Sequence, residues 1–321
     1  MSGTSSQATL ASHDPVLADF ADEVGADGAV AVRGGGTRWS LGGPLDDGVR
    51  VLSAPSGIVE YVPEEMIVRV RAGTTVAELD AELSARGQRT ALPRRSDSST
   101  VGGALAVGEN DVAMLGRGSV RSALLQVRYV SAEGRIITGG GPTVKNVTGF
   151  DLPRLMVGSL GTLGLLAEVI IRTNPIPAAS QWLRSDDADP FRARDALLAP
   201  SAVLWDGSTT WIQLEGHGLD VEAEARALRA VGSFEAIDGP PALPTNRWSL
   251  APAALRSLGS PDGPNGTGAF VAAVGTGLVF AERPQPARPI DPVITQVSNR
   301  MKLEFDPTGR LNPGRTPGRT E

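Results

Sequence analysis

Three glycine clusters carry the most chemical information in the sequence. They are Arg33-Gly34-Gly35-Gly36-Thr37-Arg38, Ser98-Ser99-Thr100-Val101-Gly102-Gly103 and Gly158-Ser159-Leu160-Gly161-Thr162-Leu163-Gly164. Glycine lets backbone N–H groups turn outward and lets a ligand approach without interference from a β-carbon, so such runs can cradle a phosphate even without a lysine. Thr37, Ser99 and Thr100 add hydroxyl donors. For any one cluster, a tight turn after a strand is an equally good reading. No cluster is followed by Gly-Lys-Ser/Thr, so none is a nucleoside-triphosphate P-loop. The 34–38 run has neither the spacing nor the following periodic helix of a Rossmann fingerprint. Three clusters in one half of the chain, each beside a strand, point to one large phosphate-bearing ligand.

Composition removes other chemistries. The 321 residues contain no cysteine, which excludes disulfides, thiolate zinc sites, Cys-ligated iron–sulfur clusters and a Cys nucleophile. His13 and His217 are the only histidines, too few for a His-rich metal site. Lys plus Arg total 30 against 36 Asp plus Glu, a net charge of −6, which argues against nucleic acid as a partner. Aromatic residues make up 4%, so little binding comes from ring stacking, and Trp205, Trp211 and Trp248 read as core anchors. The first 14 residues show no secretory pattern. The longest apolar stretch, 155–171, is broken by three glycines and Glu168, so no membrane anchor is expected and a cytoplasmic protein is the default.

The elements that must position these clusters alternate. Residues 29–33, 49–53, 66–72 and 163–172 read as strands, and 124–130 with 135–138 as a hairpin turning at Ala132-Glu133-Gly134. Thr74 or Thr75 caps a helix carrying Val76, Leu79 and Leu83 on one face, and a short helix starts at Thr100. After Pro175-Ile176-Pro177 the composition changes: Asp186, Asp187 and Asp189 before Pro190 suggest a linker or turn. Strands are expected at 211–215 and 269–274, a helix at 221–231, an extended connection at 283–292, and a helix over 293–305 with Val293, Val297, Met301 and Phe305 as its buried stripe. The expected class is α+β with domains at 1–178 and 179–285 and a returning segment at 286–321.

The order Val32-Arg-Gly-Gly-Gly-Thr37, Ala72-Gly-Thr-Thr-Val-Ala-Glu-Leu79 and Ser99-Thr-Val-Gly-Gly103 resembles the FAD domain of the vanillyl-alcohol oxidase and p-cresol methylhydroxylase (PCMH) superfamily. The runs 139–152 and 154–164, and the C-terminal Phe305-Asp-Pro-Thr-Gly-Arg-Leu-Asn-Pro-Gly-Arg315, narrow the resemblance to the FAD-binding (GlcE-like) subunits of bacterial glycolate oxidases. The resemblance covers about 29–178 and 291–315 and is poor between them. It implies a two-part FAD domain with a short inserted α/β cap.

By this resemblance, Gly34, Gly35, Gly36, Thr37, Arg38 and Trp39 hold the pyrophosphate. Ser98, Ser99, Thr100, Gly102 and Gly103 run along the flavin and pyrophosphate, and Gly108 and Asn110 continue that wall. Gly161, Thr162, Leu163, Gly164 and Leu165 add main-chain contacts, and Lys145 and Asn146 match a motif near the flavin face or else satisfy buried backbone. Some superfamily members attach FAD through a histidine after the glycine loop. That place is held here by Thr37 and its neighbours, so the implied FAD is non-covalent. The implied function is a 2-hydroxyacid dehydrogenase subunit that passes electrons from a small 2-hydroxyacid through flavin to an iron–sulfur subunit, with a second flavin subunit beside it and membrane association only through a partner. Alternatives are a non-catalytic accessory FAD-binding subunit, or a stand-alone FAD oxidoreductase acting on another alcohol. The catalytic residues are unassigned: His217 reads either as a base or as a surface residue, and Arg94, Arg95 and Arg117 either clamp a carboxylate or are solvated. The cap segment lacks the Gly-His pair common in the family, which leaves independent catalysis in doubt.

Overall fold

The computed structural model describes residues 14–142, 151–259, 266–286 and 291–318. The first element, α1 (Pro15–Val24), is absent from the expectations above. The Asp14 side chain caps it by accepting from Leu17 N, and it buries Leu17, Phe20, Ala21 and Val24. Strands β1 (Val30–Val32) and β2 (Arg50–Leu52) pair in parallel beside it.

The next five strands are β3 (Ile58–Val62), β4 (Ile67–Arg71), β5 (Leu124–Val130), β6 (Ile136–Gly140) and β7 (Leu165–Arg172). They form one antiparallel sheet in the order β3-β4-β7-β5-β6. Central β7 is buried at every residue but Arg172, because both of its faces are covered. On one face Val169 and Ile171 join Val68, Val70 and Val127 against α2 (Val76–Ser84) and α3 (Val101–Val107). On the other, Leu165 and Ala167 join Leu17, Phe20, Val30 and Leu311. Strands buried on both sides read as continuous apolar runs rather than as alternation. Thr75, not Thr74, caps α2, in a reciprocal box with Glu78.

A second antiparallel sheet holds seven strands: β8 (Ala179–Ser185), β9 (Ala202–Trp205), β10 (Thr210–Gly216), β11 (Glu235–Ile237), β12 (Asn246–Ser249), β13 (Phe270–Ala273) and β14 (Leu278–Ala281). Its order is β11-β8-β10-β9-β13-β14-β12. Helices α4 (Pro190–Ala196) and α5 (Gly218–Ala227) pack on it. The acidic run read as a linker starts α4, because Asp189 accepts from both Phe191 N and Arg192 N. The architecture is α+β, as its composition of local patterns implied.

The last helix, α6 (Pro292–Phe305), returns to the first sheet. Only its C-terminal half has a core to meet: Met301 and Phe305 pack on the β4–β7 layer, while Val293 and Val297 are exposed at 65% and 55%. The spacing was legible, but the contact surface is shorter than the stripe. Lys302 Nζ ties the helix down by donating to Thr162 O at 2.8 Å and Leu311 O at 3.0 Å.

Candidate functional site

The loop leaving β1 lies against the segment that leads into α3, with no space between their backbones. A β-carbon on Gly34 would stand 2.2 Å from Thr100 Oγ1, and one on Gly35 would stand 1.7 Å from Ser98 O. On the far side, a β-carbon on Gly102 would meet Ala72 Cβ at 2.8 Å. Thr100 fixes the turn into α3 by accepting from Gly103 N at 3.1 Å. The two glycine clusters are therefore held together as one surface, and the loop 158–160 docks on it through Gly158 N to Leu105 O and Leu160 N to Ala106 O.

This surface is the floor of a trench formed by two contiguous cavities of about 750 and 880 Å³. Gly34, Gly35, Thr100, Gly103, Leu160 and Asn312 line both. Gly36, Thr37, Arg38, Trp39 and Ser99 line the first, and Ser98, Gly102, Gly161 and Leu165 the second. Gly108 and Asn110 instead line a third cavity, of about 950 Å³, on the side of the second sheet. Thr162, Leu163 and Gly164 line none of these three. Thr162 is buried and donates to Ser159 O, Leu163 joins the core, and Gly164 lies under the Tyr129 ring, where a β-carbon would approach within 2.3 Å. Lys145, Asn146 and His13 lie outside the described residues.

Sequence reasoning missed several lining residues. Leu160 lines all three cavities and has φ 51°; Asn312 lines the trench with φ 45°. Left-handed backbone at non-glycine residues is strained and persists where surrounding structure imposes it. Asn312 sits inside the C-terminal motif and was within reach; Leu160 carries no signal except its glycine neighbour. Arg315 belongs to the same motif. Its guanidinium lies over Trp39 at 4.8 Å, as that of Arg33 does at 5.3 Å, and it donates to Leu41 O and Gly43 O. Trp39 thus meets two cations and joins the glycine loop to the C-terminal segment.

The first cavity is lined by Arg38, Arg95 and Arg315 against Glu109, a surplus of two positive charges. Small main-chain walls, hydroxyls and a surplus of that size are the donor set a diphosphate-bearing dinucleotide needs. Glu109 is paired with three arginines. Arg38 contributes Nη2 at 3.1 Å and Nε at 3.2 Å, Arg95 contributes Nε at 2.8 Å, and Arg247, from β12, contributes Nη1 at 2.9 Å. Burial works against ionisation of Glu109, but Arg247, Arg95 and Arg38 prevail and hold its carboxyl below the ordinary glutamate value.

A second cross-sheet cluster centres on Glu215 of β10. Arg89 donates to it through both terminal nitrogens, at 2.8 and 2.9 Å; Ser201 donates at 2.8 Å and Arg117 at 3.4 Å. The three arginines considered as a carboxylate clamp are thereby separated: Arg95 serves Glu109, Arg117 serves Glu215, and Arg94 pairs with exposed Asp97. His217 is exposed at the start of α5 and lines none of the three cavities. Trp248 is a buried anchor whose Nε1 donates to Arg283 O, and Trp205 packs edge-on to Phe191 and Phe270. Among the described residues, no group of His, Asp and Glu is placed to hold a metal ion, and no helix is long and apolar enough to cross a membrane.

The antiparallel central sheet, the glycine-loop trench and the second sheet lining the neighbouring cavity make a mixed fold with a site suited to a diphosphate-bearing ligand. Residues 17–140 match the family model of the FAD binding domain. It is 33% identical over 207 residues to glycolate oxidase subunit GlcE of Escherichia coli, covering 62% of this chain and 59% of that one. It is 34% identical to D-lactate dehydrogenase of Archaeoglobus fulgidus (65% of this chain, 44% of that one) and 28% identical to glycolate oxidase subunit GlcD of Bacillus subtilis (65% and 47%). The matches thus span less than two thirds of these relatives' lengths. A solved structure of alkyldihydroxyacetonephosphate synthase superposes with TM-score 0.65 at 15% identity, over 89% of this chain and 71% of that one, a likeness of fold.

Proposed function

We propose that the protein is the FAD-binding subunit of a glycolate-oxidase-like 2-hydroxyacid dehydrogenase and holds its FAD without a covalent bond. The observation that carries this reading is the arrangement of cavities: the first cavity of the trench, with a surplus of two positive charges, meets at Glu109 a cavity of about 950 Å³ lined in part by the second sheet. On this reading residues 1–178 and 286–321 form the flavin domain and 179–285 a cap. Main-chain groups of residues 34–39 and 98–103, with Arg38 and Arg315, hold the cofactor's diphosphate. Bound flavin supplies two-electron redox chemistry, accepting a hydride and passing electrons on one at a time. The cap-side cavity keeps the substrate away from bulk water. The relatives named as oxidase subunits support a multi-subunit setting, with a second flavin subunit. The iron–sulfur centre belongs to another chain, since this one has no cysteine to ligate it. Any association with a membrane also runs through a partner.

The accessory reading has one observation in its favour. Among the described residues, Glu109 is the only carboxylate lining the cap-side cavity and no histidine lines it, and Glu109 is already engaged by three arginines. The two readings separate on anaerobic addition of glycolate or D-lactate to the FAD-loaded chain. Bleaching of the flavin band is the expected result; a spectrum that stays oxidised assigns the chemistry to a partner subunit.

A further inference from the structure

We propose that Glu109 is a built-in plug between the trench and the cap-side cavity, and that a small carboxylate opens it by taking its place at Arg247. The inference deepens the reading of that cavity as the 2-hydroxyacid site and rests on it for the identity of the ligand, though not for the plug itself.

Glu109 follows Gly108, which ends α3 in left-handed backbone at φ 70°. Its side chain is 15% exposed, and with Leu41, Val107 and Leu160 it lines both the first cavity and the cap-side cavity, the one charged residue of the four they share. The three guanidiniums on it differ in origin. Arg38 and Arg95 come from the flavin side; Arg247 comes from β12 of the second sheet. Arg247 is held from behind, with Nη2 donating to Asn110 O at 2.8 Å and its guanidinium over the Phe280 ring at 5.4 Å. Its side chain is 12% exposed and lines the cap-side cavity, where Nη1 faces Glu109.

Removing one partner from a buried ion pair is costly because the other charge is left unpaired. Exchange avoids that cost. If a ligand carboxylate takes Nη1 of Arg247, one carboxylate replaces another there, and Glu109 keeps Arg38 and Arg95. The arriving anion also meets net positive charge, because Arg38, Arg95 and Arg247 face the single carboxylate of Glu109. A neutral alcohol offers neither compensation and leaves the plug shut. The ligand class is therefore a small carboxylate, and Glu109 is its internal competitor.

The test is calorimetric titration of the FAD-loaded chain with oxalate, a carboxylate that does not reduce flavin. Wild type is expected to bind, Arg247→Met to bind at least about tenfold more weakly, and Arg247→Lys to recover part of that loss. Glu109→Gln, which removes the competitor but keeps its shape, is expected to bind oxalate about tenfold more tightly. The plug is refuted if Glu109→Gln, with unchanged flavin content and circular dichroism, binds oxalate no more tightly than wild type. It is equally refuted if Arg247→Met binds as wild type does, a result that needs no Glu109 variant to fold. Anaerobic glycolate reduction is scored separately. Reduction with oxalate binding indifferent to both residues removes the plug alone, and oxalate binding as expected without reduction removes the hydroxyacid reading alone.

Discussion

Gly35 shows how much a single missing side chain decides. Its backbone conformation is ordinary, but a β-carbon would fall 1.7 Å from the Ser98 carbonyl oxygen, which belongs to backbone and cannot rotate away. Gly35→Ala is expected to push the loop off the 98–103 segment, costing about 1–3 kcal/mol in stability and leaving the purified protein with little or no flavin; retained flavin and an unchanged melting temperature would count against this packing. Glu168 makes a different demand. Sequence reading noted it only as a break in an apolar stretch. In the fold it is 1% exposed and paired with Arg71 at 2.7 Å and Arg128 at 3.2 Å. Glu168→Ala leaves both guanidiniums without their shared partner, and urea denaturation should show a loss of about 3–5 kcal/mol. The glycines were legible because glycine types report backbone approach directly. Glu168 and Glu109 were not, because an ion pair across a sheet or between sheets leaves no periodic trace in the chain.

At the scale of elements, the Arg89–Glu215 bridge links a strand of the second sheet to the segment that follows α2. Burial disfavours the charged form of Glu215, but the hydrogen bonds from Arg89 and Ser201 and the nearby charge of Arg117 hold its carboxyl below the ordinary glutamate value. A carboxylate with a lowered folded-state pKa contributes stability that is present above the unfolded value, about 4.3, and is lost as pH falls through the folded value. Glu215→Gln should therefore be about 2 kcal/mol less stable than wild type at neutral pH, with the gap closing below about pH 4. A gap that stays constant down to acid pH would show that the bridge contributes packing rather than charge. The same scale shows where pattern reading reached its limit. The periodicity of α6 was read correctly, but what the helix would meet was not: Met301 and Phe305 find the core, while Val293 and Val297 extend beyond it. Strands β3, β8, β9, β11, β12 and β14 went unread: β9, β11, β12 and β14 have only three or four residues, and the pairings of β8 with β10 and β11 and of β12 with β14 join residues far apart in the chain.

For the whole molecule, the part of the chain that carries the glycine clusters was the legible one because its motifs combine local turn chemistry with fixed order, and the family match over residues 17–140 falls largely on it. The second sheet was not, and there the site depends on long-range pairs, Arg247 with Glu109 and Arg89 with Glu215. The trench, its glycine floor and its arginine surplus make one claim that precedes all others: this chain holds FAD by non-covalent contacts. The most direct measurement is the visible absorption spectrum of the purified chain before and after acid precipitation. A yellow protein that releases its FAD into the supernatant, about one per chain, is the expected result. Colour that stays with the pellet would contradict non-covalent binding, and a colourless protein that also fails to take up added FAD would contradict the reading of the trench itself.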